Sequence, residues 1–246
     1  MAADFVFGVQ SVTETINAGK PIDKLFIQRE LGRNSPKIAY ILEEAKKREV
    51  PVAKVPLDKL NRITRKNHQG IIAFISAVHY QPLSNIIPQL YEEGKTPLVL
   101  ILDRLTDVRN FGAIARTAEC AGIHAIVIPA RGSAQISSDA MKTSSGALNY
   151  LPVCREANLE KTIEFLQESG LQIVACTEKT SDTIYAPDYT VPTAIVMGSE
   201  EDGISQALIR KADHLAQIPL QGEIGSLNVS VATAVIVYEA VRQRSL

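Results

Sequence analysis

Short runs of branched aliphatic residues alternate with amphipathic stretches along the first third of the chain. Residues 24–28, 50–55 and 70–76 are such runs, and they predict strands. Between the first two, residues 35–49 carry Ile, Leu and Ala at helical spacing behind a Ser-Pro pair that suits a helix N-terminus. The pattern predicts a small α/β unit over residues 1–78.

The alternation breaks off after residue 78. Pro82 and Pro88 interrupt it, and prolines commonly mark loops and turns. We therefore predict a linker over residues 79–96 with one or two helical turns. This linker would separate an N-terminal domain, residues 1–78, from a C-terminal domain, residues 97–246.

The C-terminal domain returns to a regular alternation of apolar strands and amphipathic helices. Its predicted strands cover residues 98–103, 125–129, 171–177, 193–199 and 214–219, and its predicted helices cover 110–122, 137–145, 158–169, 205–212 and 228–243. Strands that are almost wholly aliphatic, with helices between them, indicate a parallel sheet covered on both faces. Ligands of such sheets bind beyond the carboxyl ends of the strands, so we expect the functional site there.

Charge is distributed unevenly between the two domains. The chain of 246 residues has a globular composition, with 46% hydrophobic residues, and a formal net charge of −1. Residues 1–78 hold 13 Lys and Arg against 8 Asp and Glu, whereas the rest of the chain holds 13 against 19. The N-terminal domain contains a basic cluster formed by Lys59, Arg62, Arg65, Lys66 and His68. The cluster suits phosphate contacts with nucleic acid, or it is a solvated helix face. With 5% aromatic residues and no Trp, a base-stacking platform is not expected.

Several functional classes are excluded by missing motifs. The sequence has no GxGxxG, GxxxxGK[ST], GxSxG or HExxH, and its four His residues are scattered, so we expect no dinucleotide, P-loop or metal site. The longest aliphatic run, residues 98–102, is too short to span a membrane. Asp4 in the N-terminal stretch argues against a secretory signal, and three widely spaced Cys in apolar surroundings are typical of a reduced protein. We expect a cytosolic (cytoplasmic) protein.

Three polar, glycine-bearing segments follow predicted strands or begin predicted helices, where free backbone groups can meet a ligand. They are NFGAIARTAECAG (110–122), VMGSEEDGIS (196–205) and IPLQGEIGSLNVSVATAV (218–235). Each also has a purely structural interpretation: charged residues in a salt bridge, acids that cap a helix, and glycines in turns.

Together the three segments resemble the signature motifs of the SpoU (TrmH) family of RNA ribose 2′-O-methyltransferases, within the SPOUT superfamily. The first matches N-x-G-x-x-x-R-T-A, the second G-x-E-x-x-G and the third P-x-x-G-x-x-x-S-L-N-V. The stretches FGVQSVTETI and NHQGIIAFIS also resemble the substrate-binding domain of the 23S rRNA guanosine 2′-O-methyltransferases. The third motif departs at Gln221, where family members commonly carry Met; we expect activity to tolerate this change.

The resemblance implies a fold that the residue pattern alone does not predict. A small α/β, L30e-like substrate-binding domain would precede an α/β-knot domain, in which the chain around a parallel sheet forms a deep trefoil knot. The resemblance also implies S-adenosylmethionine as cofactor, RNA as partner and a homodimer formed through the C-terminal domain. Gly198, Gly203, Gly222 and Gly225 would then permit tight turns and close backbone approach.

The resemblance also assigns roles to individual residues. The cofactor-binding residues it implies are Thr177, Gly198, Ile218, Leu220, Ser226 and Leu227, and the catalytic ones are Asn110, Arg116, Glu200, Ser226 and Asn228. Arg116 takes the central role, and because a guanidinium stays protonated we expect it to orient the ribose hydroxyl and stabilise the alkoxide. Asn110 would position ribose or phosphate, and Glu200 would hold Arg116 or the motif loops. Glu119 would partner a basic group at the dimer contact.

The resemblance thus implies methyl transfer from S-adenosylmethionine to a ribose 2′-hydroxyl, with a guanosine of 23S rRNA as the expected target. A tRNA or another rRNA is an alternative, since base identity depends on docking rather than on the shared motifs. A knotted RNA-binding protein without catalysis is an alternative of another class. The presence of the whole catalytic set argues against it.

Overall fold

The computed structural model describes residues 5–31 and 35–245, and these form two compact units. The first comprises the described residues up to His79 together with Gln135–Ser138, and the second comprises Tyr80–Ala134 with the described residues from Asp139 onward. Asp4, on which the expectation of no secretory signal depends, lies outside the described residues.

The first unit is a four-stranded sheet with helices. Its elements are β1 (Phe5–Phe7), α1 (Val9–Asn17), β2 (Ile22–Gln28), α2 (Pro36–Lys47), β3 (Val52–Val55), α3 (Leu57–Ile63) and β4 (Ile71–Ile75). The strand order is β1-β4-β2-β3, with β2 and β3 parallel and the other pairs antiparallel. Helices α1 and α2 bury their apolar stripes on one sheet face, where Val12 and Ile41 pack with Leu25 and Ala73.

The second unit is a six-stranded, wholly parallel sheet. Its elements are α4 (Leu83–Glu92), β5 (Leu98–Leu102), α5 (Val108–Cys120), β6 (Ala125–Pro129), α6 (Ser138–Thr143), β7 (Val153–Glu156), α7 (Leu159–Glu168), β8 (Gln172–Cys176), β9 (Thr193–Met197), α8 (Gln206–Ile209), β10 (His214–Ala216) and α9 (Val229–Arg244). The strand order is β10-β8-β9-β5-β6-β7. Every residue of β5 and β9 is buried, so the expected covered parallel sheet is confirmed. The knot stays a prediction.

Helix α4 differs from the linker expected over residues 79–96. Leu83, Ile86, Ile87 and Leu90 recur at helical spacing, and all four are buried in the core of the second unit. Pro88 lies inside the helix on its exposed side, so the carbonyl that it leaves unpaired one turn earlier can be hydrated. The expectation of a linker was wrong here because burial of an apolar stripe outweighed the proline signal.

Helix α9 fixes the end of the second unit to the sheet. It packs against α5 and buries Ile236, Val237 and Ala240. Near its last turn, the Arg244 guanidinium donates hydrogen bonds to four backbone carbonyls, those of Thr96, Pro97, Tyr189 and Val191, at 2.8–3.1 Å. These carbonyls precede β5 and β9, so one side chain ties the helix to the start of both central strands.

Candidate active site

A cavity of about 760 Å³ lies at the carboxyl ends of β8, β9 and β10. Its size falls in the range of small-molecule sites, and its place is the one expected for a ligand of a parallel sheet. All the residues predicted to bind the cofactor line it, namely Thr177, Gly198, Ile218, Leu220, Ser226 and Leu227. Glu200 and Asn228 of the predicted catalytic set also line it, whereas Asn110 and Arg116 do not.

The turn that follows β9 forms one wall of the cavity and depends on glycine. A Cβ atom on Gly198 would lie 2.1 Å from the carbonyl carbon of Gly203, closer than real Cβ contacts. Gly203 has a φ of +65° and its N–H donates to the Ser199 carbonyl at 3.0 Å, which closes the turn. Gly222 and Gly225 have open space around them and no positive φ, so within this chain they are not required for the close approach that we expected.

Two residues outside the three glycine-bearing segments and their predicted site hold this turn in place. Asp103, buried directly after β5, accepts a hydrogen bond from Ser205 N at 2.7 Å. Arg104 has a φ of +56°, a conformation uncommon outside glycine, and its guanidinium contacts Asp103, Asp202 Oδ2 and the Gly203 carbonyl. The signal in the sequence was an Asp-Arg pair at the carboxyl end of a wholly aliphatic strand.

The three motifs meet at Glu200. Its Oε1 accepts hydrogen bonds from Asn110 Nδ2 at 2.9 Å and from Asn228 Nδ2 at 2.7 Å, and Asn228 Nδ2 also lies 3.2 Å from Asn110 Oδ1. Asn110 is in the first turn of α5, and Asn228 caps α9 by accepting from Ser230 N at 2.9 Å. One carboxylate oxygen thus joins residues at the N-terminal ends of two helices.

Arg116 lies apart from this cluster. It is six residues beyond Asn110 on α5, which places it about 9 Å further along the helix and about 240° around its axis. Its side chain is exposed and forms no hydrogen bond or ion pair with any described residue. Of the two roles expected for Glu200, the structure shows contacts that hold the motif loops and none that hold Arg116. Glu119, one turn further on, is also exposed.

The basic cluster of the first unit is only partly exposed. Lys59, Arg62, Arg65 and Lys66 are exposed on α3 and the loop after it. His68 is buried: its Nδ1 accepts from Gly70 N at 3.0 Å, so its Nε2–H donates to Asn61 Oδ1 at 3.0 Å. Both ring nitrogens are occupied, and His68 is therefore a structural residue rather than the phosphate contact that we expected.

The described residues also bear on what the sequence predicts for two cysteines, a membrane span and a metal site. Burial raises the pKa of the Cys176 thiol, on the cavity wall, to about 12, so it stays protonated at neutral pH. Cys120 is exposed, unlike the apolar surroundings that we expected for it. Within residues 5–31 and 35–245, no helix is long and apolar enough to cross a membrane, and no group of three or more metal-ligating side chains is assembled.

Comparison with protein families assigns both units. Residues 97–238 match the model of the SpoU rRNA Methylase family, and residues 5–81 match the model described as RNA 2′-O ribose methyltransferase substrate binding. The chain is 34% identical over 242 residues to YacO of Bacillus subtilis, named as a TrmH family tRNA/rRNA methyltransferase, with 98% of this chain and 96% of YacO covered. A Staphylococcus aureus protein with the same family name is 38% identical over 240 residues, covering 97% of this chain and 96% of its own length.

Solved structures agree with this assignment. An rRNA methyltransferase from Sinorhizobium meliloti, determined with bound AdoMet, superposes with a TM-score of 0.61 and 28% identity, covering 97% of this chain and 86% of that chain. The A. aeolicus TrmH/SpoU tRNA modifying enzyme gives a TM-score of 0.56 and 32% identity over 66% of this chain and 84% of its own. Two family models cover almost the whole chain, and the three glycine-bearing segments meet at Glu200, which lines the cavity. The chain belongs to the SpoU (TrmH) family of S-adenosylmethionine-dependent RNA methyltransferases.

Proposed function

We propose that the protein methylates a ribose 2′-hydroxyl of RNA, on a guanosine of 23S rRNA, with S-adenosylmethionine as the methyl donor. The observation that carries the proposal is the meeting of Asn110, Glu200 and Asn228 at the edge of the cavity. The substrate-binding model matched by the first unit names a 2′-O ribose activity, which supports the ribose as the acceptor.

The cavity fits the cofactor. Its walls combine apolar side chains, such as Ile218 and Leu227, with the backbone of the glycine turn, and this mixture suits a ligand with an adenine ring and polar ends. When bound, S-adenosylmethionine supplies an electrophilic methyl group on sulfur. Thr177, Gly198, Ile218, Leu220, Ser226 and Leu227 would hold it.

The polar cluster would position the acceptor. Asn110 and Asn228 have amide groups already oriented by Glu200, so they can hydrogen-bond a ribose or phosphate without first being ordered. Ser226 is exposed on the same cavity wall and can donate to the same ligand. This chain therefore supplies orientation and hydrogen bonds at the reacting hydroxyl.

Arg116 completes the site across a homodimer contact in this proposal, because within one chain it lies away from the cluster. An exposed apolar stripe supports a second copy as the partner: Val231, Val235 and Tyr238 on α9 are 37–50% exposed. Helix α9 packs against α5, so the stripe and Arg116 belong to neighbouring helices. An arginine there would orient the hydroxyl and stabilise the alkoxide that develops as a nearby phosphate of the RNA accepts the proton.

The target RNA has one close alternative. Relatives are named tRNA/rRNA methyltransferases and one structural neighbour is a tRNA modifying enzyme, so a tRNA or another rRNA is the second candidate. A non-catalytic RNA-binding role is disfavoured, since it would not need the cluster around Glu200.

The decisive experiment measures transfer of labelled methyl from S-adenosylmethionine to unmodified 23S rRNA and, in parallel, to unmodified tRNA. We expect label on 23S rRNA, at a 2′-O position of a guanosine found by mapping. Label on tRNA alone would support the alternative target, and bound cofactor without label on any RNA would refute the catalytic proposal. Arg116→Ala should abolish transfer and leave cofactor affinity nearly unchanged; a collapse of cofactor binding would contradict the role given to Arg116.

The homodimer has its own test. Val235→Glu places a charge in the exposed stripe, outside the residues that line the cavity. We expect sedimentation to show a shift from dimer to monomer, with loss of transfer. A wild-type protein that sediments as a monomer yet transfers methyl groups would contradict a site completed by two chains.

A further inference from the structure

Phenylalanines are concentrated on one face of the N-terminal sheet. Of the six in the chain, Phe5, Phe7, Phe26 and Phe74 lie on this face, and all four are only partly buried. The Phe26 and Phe74 ring centroids are 5.1 Å apart in an edge-to-face arrangement, and those of Phe5 and Phe74 are 6.1 Å apart. We call this surface the aromatic face. The low overall aromatic content concealed it, because these rings come from three separate strands.

The two faces of the sheet are covered differently. Helices α1 and α2 cover the opposite face, where residues of every strand are packed into one core. On the aromatic face, α3 buries Leu60 against Val55 and Ile72 and leaves the phenylalanines half-buried around them. Ala53, which pairs with Phe26 across β2 and β3, is exposed. The aromatic face is therefore open to solvent along part of its length.

Two lysines lie over the aromatic rings. Lys24 Nζ is 5.0 Å from the centroid of Phe74, and Lys59 Nζ is 4.9 Å from that of Phe26, within cation–π range. A register shift in β2 between Ile22 and Lys24 allows Ile22 to enter the core while Lys24 lies on the aromatic face. The chain thus places a cation over the rings by means of a bulge.

The cations on this side of the sheet are not neutralised. Among the described residues, Lys24 and Lys59 have no carboxylate within 4 Å, and neither do Arg62, Arg65 and Lys66 nearby in the chain. By contrast, Lys47 and Arg48, at the end of α2 on the other side of the sheet, pair with Glu43 and Glu44. An aromatic surface bordered by unpaired cations complements a ligand with flat rings and negative charges.

We propose that the aromatic face stacks an unpaired base of the RNA substrate while Lys24 and Lys59 contact the adjacent phosphates. The proposal rests on the proposed function and deepens it, since it names the form of RNA that the first unit recognises. Stacking on phenylalanine is largely independent of sequence and requires a base that is free of its own helix. The substrate would therefore present a loop, a bulge or a strand end to this unit.

The test measures binding of the full chain to a short unpaired RNA and to a blunt-ended duplex of the same length, by fluorescence anisotropy over a range of salt concentrations. Phe74→Leu keeps an apolar side chain but removes the ring, and we expect it to weaken binding of the unpaired RNA about fivefold or more. Binding of the duplex by this variant, and the salt dependence of its binding to the unpaired RNA, should not change. Phe74→Tyr keeps a ring and should bind like wild type.

The lysine is tested against a matched control. Lys24→Gln should reduce the slope of log Kd against log salt concentration by about 0.7, the value for one phosphate on a single strand. Lys46→Gln removes an exposed lysine from α2, across the sheet, and should change neither slope nor affinity. Equal effects of the two substitutions would overturn the proposal.

The remaining outcomes distinguish failure of the stacking site from failure of the proposed function. If wild type binds RNA and Phe74→Leu binds it equally well, the aromatic face is not a stacking site, although the proposed function stands. If wild type binds neither short RNA yet transfers methyl groups, the proposal is overturned and the proposed function stands; if it also transfers none, the proposed function fails. Circular dichroism checks that Phe74→Leu is folded. If this variant is unfolded, Phe74→Tyr alone decides the test, and weak binding of the unpaired RNA by Phe74→Tyr overturns the proposal. A change in sedimentation of Phe74→Leu without RNA would assign the face to protein association and overturn it as well.

Discussion

Replacing Gly198 by alanine tests whether the turn after β9 sets the geometry of the whole site. The added Cβ would lie 2.1 Å from the Gly203 carbonyl carbon and 2.2 Å from Ile204 N, and both are backbone atoms that cannot rotate away. Since real contacts stay above 3.0 Å, the two segments must separate by about 1 Å. Overpacking of this kind costs about 1–3 kcal/mol, which lowers Tm by roughly 2–12 °C in a chain of this length.

The same shift moves Glu200, two residues further on. Its hydrogen bonds to Asn110 and Asn228, at 2.9 and 2.7 Å, would lengthen beyond the range of a hydrogen bond. A misplacement of this size lowers the rate of transfer on the order of 100-fold. Thermal unfolding and methyl transfer measure the two effects. Gly222→Ala is the control, because a Cβ there meets nothing within 4 Å, and it should match wild type. A Gly198→Ala protein with the Tm and rate of wild type would show that this turn does not set the geometry of the site.

Three further predictions concern other contacts of the second unit. Asn228→Ala removes the cap of α9 and should lower stability by about 1 kcal/mol, and Asn228→Ser should restore stability but not transfer, as measured by urea unfolding and methyl transfer. Burial lowers the pKa of His124, whose Nδ1 accepts a hydrogen bond from Leu98 N at 3.0 Å. The contribution of the neutral His124 to the free energy of unfolding is therefore fully present above the unfolded pKa of about 6.5 and is lost as the pH falls below it. Unfolding measured between neutral pH and pH 5 should show that loss in wild type and not in His124→Asn; parallel profiles would contradict it. Arg244→Lys leaves carbonyls unpaired and should cost about 2 kcal/mol, whereas an unchanged urea midpoint would show that the four contacts contribute little.

Strand periodicity predicted five of the six strands of the second sheet and missed β7, Val153–Glu156. It also predicted a site beyond the carboxyl ends of the strands, because parallel strands end at the same edge of a sheet. The helix at Leu83–Glu92 was missed since its prolines were given more weight than its four regularly spaced apolar residues. Strand β1 has only three residues, too few for an alternating pattern to identify. Apolar periodicity therefore identifies a helix or strand only when the element is long enough and no proline argues against it.

Side-chain partners were less predictable. The sequence places His68 among cations, and nothing in it shows that Asn61 and Gly70 occupy both ring nitrogens. Likewise the pairing of Glu200 with two asparagines instead of Arg116 depends on where α5 and α9 begin in space. Such pairings follow from packing between distant segments, and they become visible only in the fold.

The cavity is assembled from four separate stretches of chain, around residues 176–178, 197–203, 217–220 and 225–232. A partly folded chain therefore has no site, and the methyl donor binds the finished fold alone. A ligand at one hundred times its Kd adds about 2.7 kcal/mol to the stability of the form it binds. Proteases remove proteins in proportion to how often they open, so we expect the cellular abundance of this enzyme to follow the supply of methyl donor. A cell short of methyl donor would then also contain less of the enzyme.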